Sequence, residues 1–230
     1  YVTFPRRTQR HVSRYLKLLR TELEAIAKRV LKGGVPVSCL HIGGGTPTYL
    51  SRPNMEELMA LLRGTVRITA DAEITCESSP ETLLDNSGTR IDHLLALGVN
   101  RLNIGVQALQ DHLLRILGRR HSASEAMQAM KLARQRGFGN INIDLMYGLP
   151  EQSLADWVQT LRSVGDFRPE SVTIYHLRLK RGTPISRTPR SCLPDESLCF
   201  EMGDSALHLL EEHGYTAAQP NQFVINRRFA

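Results

Sequence analysis

Six consecutive residues, Gly43-Gly44-Gly45-Thr46-Pro47-Thr48, carry the clearest chemical signal in this sequence. Three glycines in a row suit neither strand nor helix. With no Cβ in the way, they let the backbone pass close to another group. Thr46 and Thr48 add short hydroxyls, and Pro47 stiffens the exit. The string follows an apolar, β-branched run from Val35 to Ile42, so it stands at the end of a predicted strand. A strand ending in a bare, polar turn is where a βα protein usually holds a ligand. The bland reading is an ordinary tight βα loop. Thr-Pro-Thr after three glycines is the rarer string and favours a site.

Other polar residues fall at predicted strand ends. Glu77 precedes Ser78-Ser79-Pro80. A carboxylate there accepts bonds from an ammonium group or a ribose hydroxyl, or simply faces a helix dipole. Gln107 follows Asn103-Ile104-Gly105-Val106; its amide offers donors and an acceptor, to a mixed ligand or to loop backbone. Asp144 lies among Ile143, Leu145 and Met146, where an unpartnered carboxylate is costly to desolvate. That argues for a ligand over a plain turn role. Arg178 follows the last predicted strand. Arg119 and Arg120 follow Leu117-Gly118, and a guanidinium can clamp a carboxylate through two bonds. One of these two is expected to be solvated surface charge. His121 and His176 read as structural histidines, and Trp157 as core.

The elements that must position these residues follow from hydrophobic period and punctuation. Helices are expected over 8–31, stopped by Gly33-Gly34, from near Pro53 to Leu62, and over 91–97, 113–117, 124–136, 154–164 and 195–213. Strands are expected over 37–42, 72–76, 101–104, 140–145 and 171–177. Residues 1–7 read as extended or loop, 178–194 as a Pro/Gly-rich loop, and 215–230 show no clear period. Strict βα alternation argues for a parallel sheet, either doubly wound or curved. The chemistry-bearing residues all stand at strand ends, which favours a barrel rim over a single switch point.

Composition narrows the class. The chain has 230 residues, 41% hydrophobic and 23% charged, with a net charge of +6. No run of about 18 apolar residues exists, so no transmembrane helix is expected. The first residues are polar and basic, unlike a signal peptide. The basic balance fits nucleic acid or an anionic small molecule; the scattered arginines make nucleic acid the weaker fit. Cys39, Cys76, Cys192 and Cys199 have no zinc-like spacing. Cys39 and Cys76 fall in predicted strands and read as buried thiols, in a reducing, cytoplasmic setting.

Five motifs in order then point to a family: Gly43-Gly-Gly-Thr-Pro-Thr48, Glu77-Ser-Ser-Pro80, Gly98-Val-Asn-Arg-Leu-Asn-Ile-Gly-Val-Gln107, Leu117-Gly-Arg119 and Asn142-Ile-Asp-Leu-Met-Tyr-Gly-Leu-Pro150. Together they resemble the radical S-adenosylmethionine (SAM) superfamily. Within it they resemble the branch of the oxygen-independent coproporphyrinogen III oxidase, with its haem chaperone, methyltransferase and cyclopropanase relatives. The resemblance implies an α/β fold with a partial (β/α)6 barrel, here without its first strand, over residues 1–194. Residues 195–230 are then the last helix and the start of a C-terminal region. It implies bound SAM, with Gly43, Gly44, Gly45, Thr46, Glu77, Gln107, Arg119, Asp144 and Arg178 at SAM-contacting positions. It also implies a 4Fe-4S cluster, an external electron donor such as flavodoxin or ferredoxin, and a 5′-deoxyadenosyl radical acting on a small organic substrate.

One departure stands out. The family's Cys-x3-Cys-x2-Cys motif precedes the first long helix, and here no cysteine precedes Cys39. A cluster of this kind needs thiolate ligands. The chain does not begin with Met, so the ligands are expected upstream of Tyr1, and the chain as given is expected not to hold the cluster or to be active. The haem chaperone type carries Tyr-Glu where Ala218-Gln219 stands, and the oxidase type Asp-His-Phe where Asn221-Gln222-Phe223 stands. Both signatures are altered, which leans the reading toward a methyltransferase or cyclopropanase. The alternatives are a haem chaperone, or a cluster-less module that binds haem or nucleic acid.

Overall fold

Along the central strands, apolar and polar residues alternate with period two. Ile74 and Cys76, Leu102, Ile104 and Val106, Ile141, Ile143 and Leu145, and Val172 and Ile174 are buried. Between them stand Thr75, Glu77, Arg101, Asn103, Asn142, Asp144, Ser171 and Thr173. Successive side chains of a strand point to opposite faces, so one face of the sheet must be apolar and the other polar. The computed structural model describes residues 8–30 and 35–226.

Five strands run parallel in chain order: β1 Pro36–Ile42, β2 Arg67–Ser78, β3 Arg101–Gln107, β4 Ile141–Tyr147 and β5 Ser171–His176. Two short strands, β6 Thr216–Gln219 and β7 Gln222–Val224, form an antiparallel hairpin, and β7 pairs with β5. The sheet order is β1-β2-β3-β4-β5-β7-β6, curled into a half-barrel. The partial barrel expected from the sequence is the fold found; the stretch in which a first strand was expected to be missing, residues 1–7, lies outside the described residues.

The helices are α1 Gln9–Val30, α2 Arg52–Thr65, α3 Pro80–Leu84, α4 Thr89–Ala96, α5 Asp111–Ile116, α6 Ala123–Gln135, α7 Leu154–Phe167 and α8 Glu196–Glu212. Met55 and Met59 of α2, Leu94 of α4, Met130 of α6, Trp157 of α7 and Met202 of α8 join the apolar strand residues in one core. Core and helices therefore lie on the convex side. The Trp157 indole donates to the Met202 carbonyl at 2.7 Å, so even its polar atom is satisfied. Ser122 and Ser153 open α6 and α7 through capping boxes with Glu125 and Asp156.

The structure departs from the sequence expectations in three places. Helix α3 was not anticipated, although Ser79 and Thr82 form a capping box with Pro80 at the first helical turn. Strand β2 begins at Arg67, not Ala72, and pairs with β1 across a register shift between Val37 and Cys39; its polar start hides it from hydrophobic scanning. The β6–β7 hairpin lies in the stretch that showed no period, because all four residues of β6 are exposed. The Gly33-Gly34 stop and the reading of residues 1–7 fall outside the described residues.

Helices α7 and α8 touch where Gly165 meets His213. A Cβ on Gly165 would lie 2.5 Å from the His213 ring. The ring is held by a 2.7 Å hydrogen bond from Nδ1 to the Leu209 carbonyl. Alanine gains about 1 kcal/mol over glycine inside a helix, while overpacking costs roughly 1–3 kcal/mol. Gly165→Ala is expected to lower the urea midpoint, and adding His213→Ala to restore or raise it. A stabilised single variant would mean that the two helices separate easily.

Candidate functional site

The site is assembled from strand ends. At the end of β1, the Gly-rich turn brings Gly44 against β2, where its N–H donates to Glu77 Oε2 at 3.1 Å. The other carboxylate oxygen, Oε1, lies 3.1 Å from Nε2 of His41. A Cβ on Gly43 would stand 2.6 Å from His41 Nε2 and 2.7 Å from Glu77 Oε1, so any other residue there would push these two side chains out of place. Gly44 has φ +113°, a conformation that L side chains avoid. Gly45 has open space around its Cα, and Thr46 is partly buried at the head of a 3-10 turn over Pro47–Tyr49. Thr48 anchors that turn, its hydroxyl 2.6 Å from the Thr82 hydroxyl of α3.

At the end of β3 the ladder to β4 shifts between Gly105 and Gln107. Gln107 sits at φ +71°, left-handed for a residue with a Cβ. Such strain persists only where the surroundings impose it, and it concentrates at functional sites. Arg119, on the loop between α5 and α6, donates from Nη2 to the Gly105 carbonyl at 3.0 Å. A Cβ on Gly105 would meet both the Gln107 amide and the Arg119 guanidinium, at 2.9 and 3.0 Å. This second glycine lets two site side chains cross the strand.

On β4, Asp144 accepts a 2.8 Å bond from the Asn142 amide, whose own oxygen accepts from Thr173 at 2.9 Å. Burial pushes the Asp144 carboxyl up to about 6; the Asn142 bond opposes this, the Glu77 charge adds to it, and Arg119 and His41 pull it down. The influence of Glu77, Arg119 and His41 on Asp144 puts the ends of β1, β2 and β4 and the α5–α6 loop in one electrostatic unit. Further down the concave face, Arg101 bonds Glu73 and Ser171, both at 3.2 Å, in a polar layer that closes the floor.

The structure thus gathers Gly43, Gly44, Glu77, Gln107, Arg119 and Asp144 at one rim, with Gly45 and Thr46 on the same turn. Arg178 is not brought in: it lies two residues beyond β5, exposed, with no bond or ion pair to another described residue. Arg120 is the exposed member of the arginine pair, and His121 is buried. His176 is exposed and stacks on Tyr147 at 5.1 Å. Cys76 is buried, its thiol pushed by burial to about 12. Cys39, expected in the core, is exposed because it faces the uncovered concave side of edge strand β1. Sequence reasoning missed His41 and Asn142. Both were legible by parity, His41 standing two residues before Gly43 and Asn142 two before Asp144.

A model of the radical SAM superfamily matches residues 6–164. The chain belongs to that superfamily. It is 38% identical over 191 residues to the heme chaperone HemW of Escherichia coli, covering 83% of this chain and 50% of that protein. It is 38% identical over 171 residues to the oxygen-independent coproporphyrinogen III oxidase of the same organism, covering 74% and 36%. The solved structure of that oxidase, described as a radical SAM enzyme, superposes with TM-score 0.85 at 32% identity, over 95% of this chain and 50% of the other. The chain spans about half the length, or less, of the curated relatives it matches.

The rim of this radical SAM chain suits SAM, whose charged and hydroxyl groups need both signs at close range. Two glycines whose Cβ would collide with site side chains leave a cradle, and Asp144 is a desolvated carboxylate short of partners. The described residues do not suit a cluster in the same way, because no three His, Cys, Asp or Glu side chains among them converge.

Asp144 makes the apo chain pH-sensitive in a defined sense. Its folded value lies above the ordinary carboxylate range, so its contribution is most favourable at low pH. That contribution falls as pH rises from about 4 to about 6, leaving a cost on the order of 2–3 kcal/mol at neutral pH. Asp144→Asn is expected to be more stable than the parent at pH 7.5 and to lose that decline, as read by urea unfolding across pH 4–8. Equal stability at all pH values would mean the carboxyl is not desolvated.

Proposed function

We propose that this chain is the SAM-binding half-barrel of a radical SAM enzyme of the coproporphyrinogen III oxidase-like branch. The observation that carries the reading is the rim where Gly44, Glu77, Gln107, Arg119 and Asp144 converge on desolvated backbone and charge. Glu77, held in place by His41 and the Gly44 N–H, offers a fixed carboxylate to the methionyl ammonium or a ribose hydroxyl. Arg119 is suited to the methionyl carboxylate, and Asp144 to hydroxyl donors. Gln107 reads groups of mixed character, and Arg178 lies on the adjacent loop for the adenosine end.

When bound together, SAM and a 4Fe-4S cluster supply one-electron cleavage of a C–S bond and a 5′-deoxyadenosyl radical. The cluster ligands are not among the described residues, and the part played by this chain is to bind SAM, orient it and exclude water. The reaction class is oxidation, methylation or cyclopropanation of a small organic substrate in the cytoplasm. A net charge of +6 favours an anionic substrate, and the electron comes from a flavodoxin- or ferredoxin-type donor. In this reading the described residues up to 194 are the barrel unit, and α8 with the β6–β7 hairpin packs against it. The HemW relative supports a second reading, in which the same barrel serves haem delivery.

Two measurements test this. Asp144→Asn is expected to weaken S-adenosylhomocysteine binding about ten- to a hundredfold, on the order of 1.5–3 kcal/mol, with no loss of melting temperature. A lowered melting temperature with unchanged affinity would remove Asp144 from the site. The full-length protein, reconstituted anaerobically with iron and sulfide, is expected to release 5′-deoxyadenosine on reduction. Tight haem binding without 5′-deoxyadenosine would favour the chaperone reading.

A further inference from the structure

Tyr49, Glu81, His121 and the Val106 carbonyl form an unbroken line of contacts behind the rim. The Tyr49 hydroxyl donates to Glu81 Oε1 at 2.8 Å. Glu81 Oε2 lies 3.2 Å from His121 Nδ1, and His121 Nε2 lies 3.3 Å from the Val106 carbonyl. The His121 side chain is fully enclosed. Each member sits beside a different part of the site. Tyr49 closes the turn that follows the three glycines, and Glu81 lies in the first turn of α3, four residues after Glu77. Val106 precedes Gln107, and His121 is two residues from Arg119.

The Val106 end bears the most weight. Ala108 N–H donates to the Val106 carbonyl at 3.0 Å, which closes a three-residue turn around Gln107 at φ +71°. A γ-turn with positive φ at its centre is the rare and strained kind, so it holds only if its neighbours hold it. The His121 ring supplies a second donor to the same carbonyl. At its other nitrogen the ring meets the Glu81 carboxylate. Glu81 is suited to that partner. Burial pushes its carboxyl up, but bonds from His121, its own backbone, Tyr49 and Ser79 outweigh this and hold it at about 2.

We propose that His121 is a positioning residue that ties the Gly-rich turn, the Gln107 turn and the Arg119 loop into one rigid rim through Glu81 and Val106. Its consequence for ligand affinity rests on the SAM-binding reading above; its consequence for local order does not. The loop around it has other anchors, the Arg119 N–H on the Leu114 carbonyl and the Ala123 N–H on Asp111, at 2.9 and 2.8 Å. Those fix the backbone of the loop to α5. His121 connects it to β3 and α3.

Amide hydrogen exchange and S-adenosylhomocysteine titration, on the parent and on His121→Ala, His121→Gln and Tyr49→Phe, test the proposal. His121→Ala is expected to raise exchange at least tenfold at Ala108 and Arg119 and to weaken binding at least tenfold, with exchange in β4 and α7 unchanged. His121→Gln, which keeps one amide donor, is expected to recover much of both effects. Tyr49→Phe alters an exposed ring, so it leaves the fold intact; exchange is expected to rise over 46–50 alone and affinity to fall about threefold. Unchanged exchange at Ala108 and Arg119, or a rise spread evenly over the whole sheet, would overturn the proposal. Should His121→Ala fail to fold, the glutamine and Tyr49→Phe variants decide by the same criteria. A parent that binds no S-adenosylhomocysteine would refute the SAM reading, and the exchange data would still judge the linkage.

Discussion

The constraint on which this structure depends is that its parallel strands are apolar on one face only. Parallel sheets are usually covered on both faces and read as continuous apolar runs. Here most alternate residues of β2 to β5 are polar, from Glu73, Thr75 and Glu77 to Ser171 and Thr173. Such a face cannot take a layer of helices without stranding those groups. Curling solves the problem. The convex face buries its Ile, Leu and Val against α2, α4, α6, α7 and α8, and the concave face pairs most of its polar side chains with one another, Asn103 Oδ1 being a buried exception. Glu73 with Arg101, and Asn142 with Asp144 and Thr173, are the pairs that make the inner face affordable.

The same curl sets the chemistry. Strand ends that would splay apart in a flat sheet are turned toward one another, and the charges on them interact. Glu77 raises Asp144 while Arg119 and His41 lower it, so the rim is a balanced cluster, not an isolated acid. Burial still dominates at Asp144, and the fold carries that group at a cost to stability. Glu81 is the opposite case: its bonds outweigh its burial, and it stays a carboxylate well into acid. Its stabilising contribution is lost only as pH falls from the ordinary carboxylate range toward about 2, clear of the window in which Asp144 acts. One partly buried carboxylate is satisfied within the protein, and the other retains the means to be satisfied by something else.

Glycine does two jobs at the rim, and they separate cleanly. Gly44 is favoured by its φ of +113°, whereas Gly43 and Gly105 are favoured by the side chains that lie against them. At both of the latter, a methyl group would displace side chains that the site uses. The Gly-rich motif is therefore more than a flexible turn. Its first glycine makes room for the His41–Glu77 contact, and its second supplies the N–H that completes the carboxylate's coordination.

Much of this was legible in the sequence by itself. Period and punctuation located α1, α2, α4 to α8 and the five parallel strands, because each spans enough residues to show its period. That the Gly-rich turn, Glu77, Gln107 and Asp144 share one rim was legible from their place at strand ends, and Arg119 stood out by type. Other features were decided only by the tertiary structure. The parity of a strand does not say which face is covered, so Cys39 was placed in the core. Three- and four-residue strands have no readable period, so the β6–β7 hairpin emerged only through its pairing with β5. Arg178 has the right type and the right place in the chain, yet two residues past the strand its side chain is free to point into solvent. The left-handed Gln107 turn and the contacts of His121 join residues far apart in sequence, and no local pattern encodes a bond between them. What the chain spells out locally is which residues can do chemistry; which of them meet depends on how far the sheet curls, and that is set by the whole core at once.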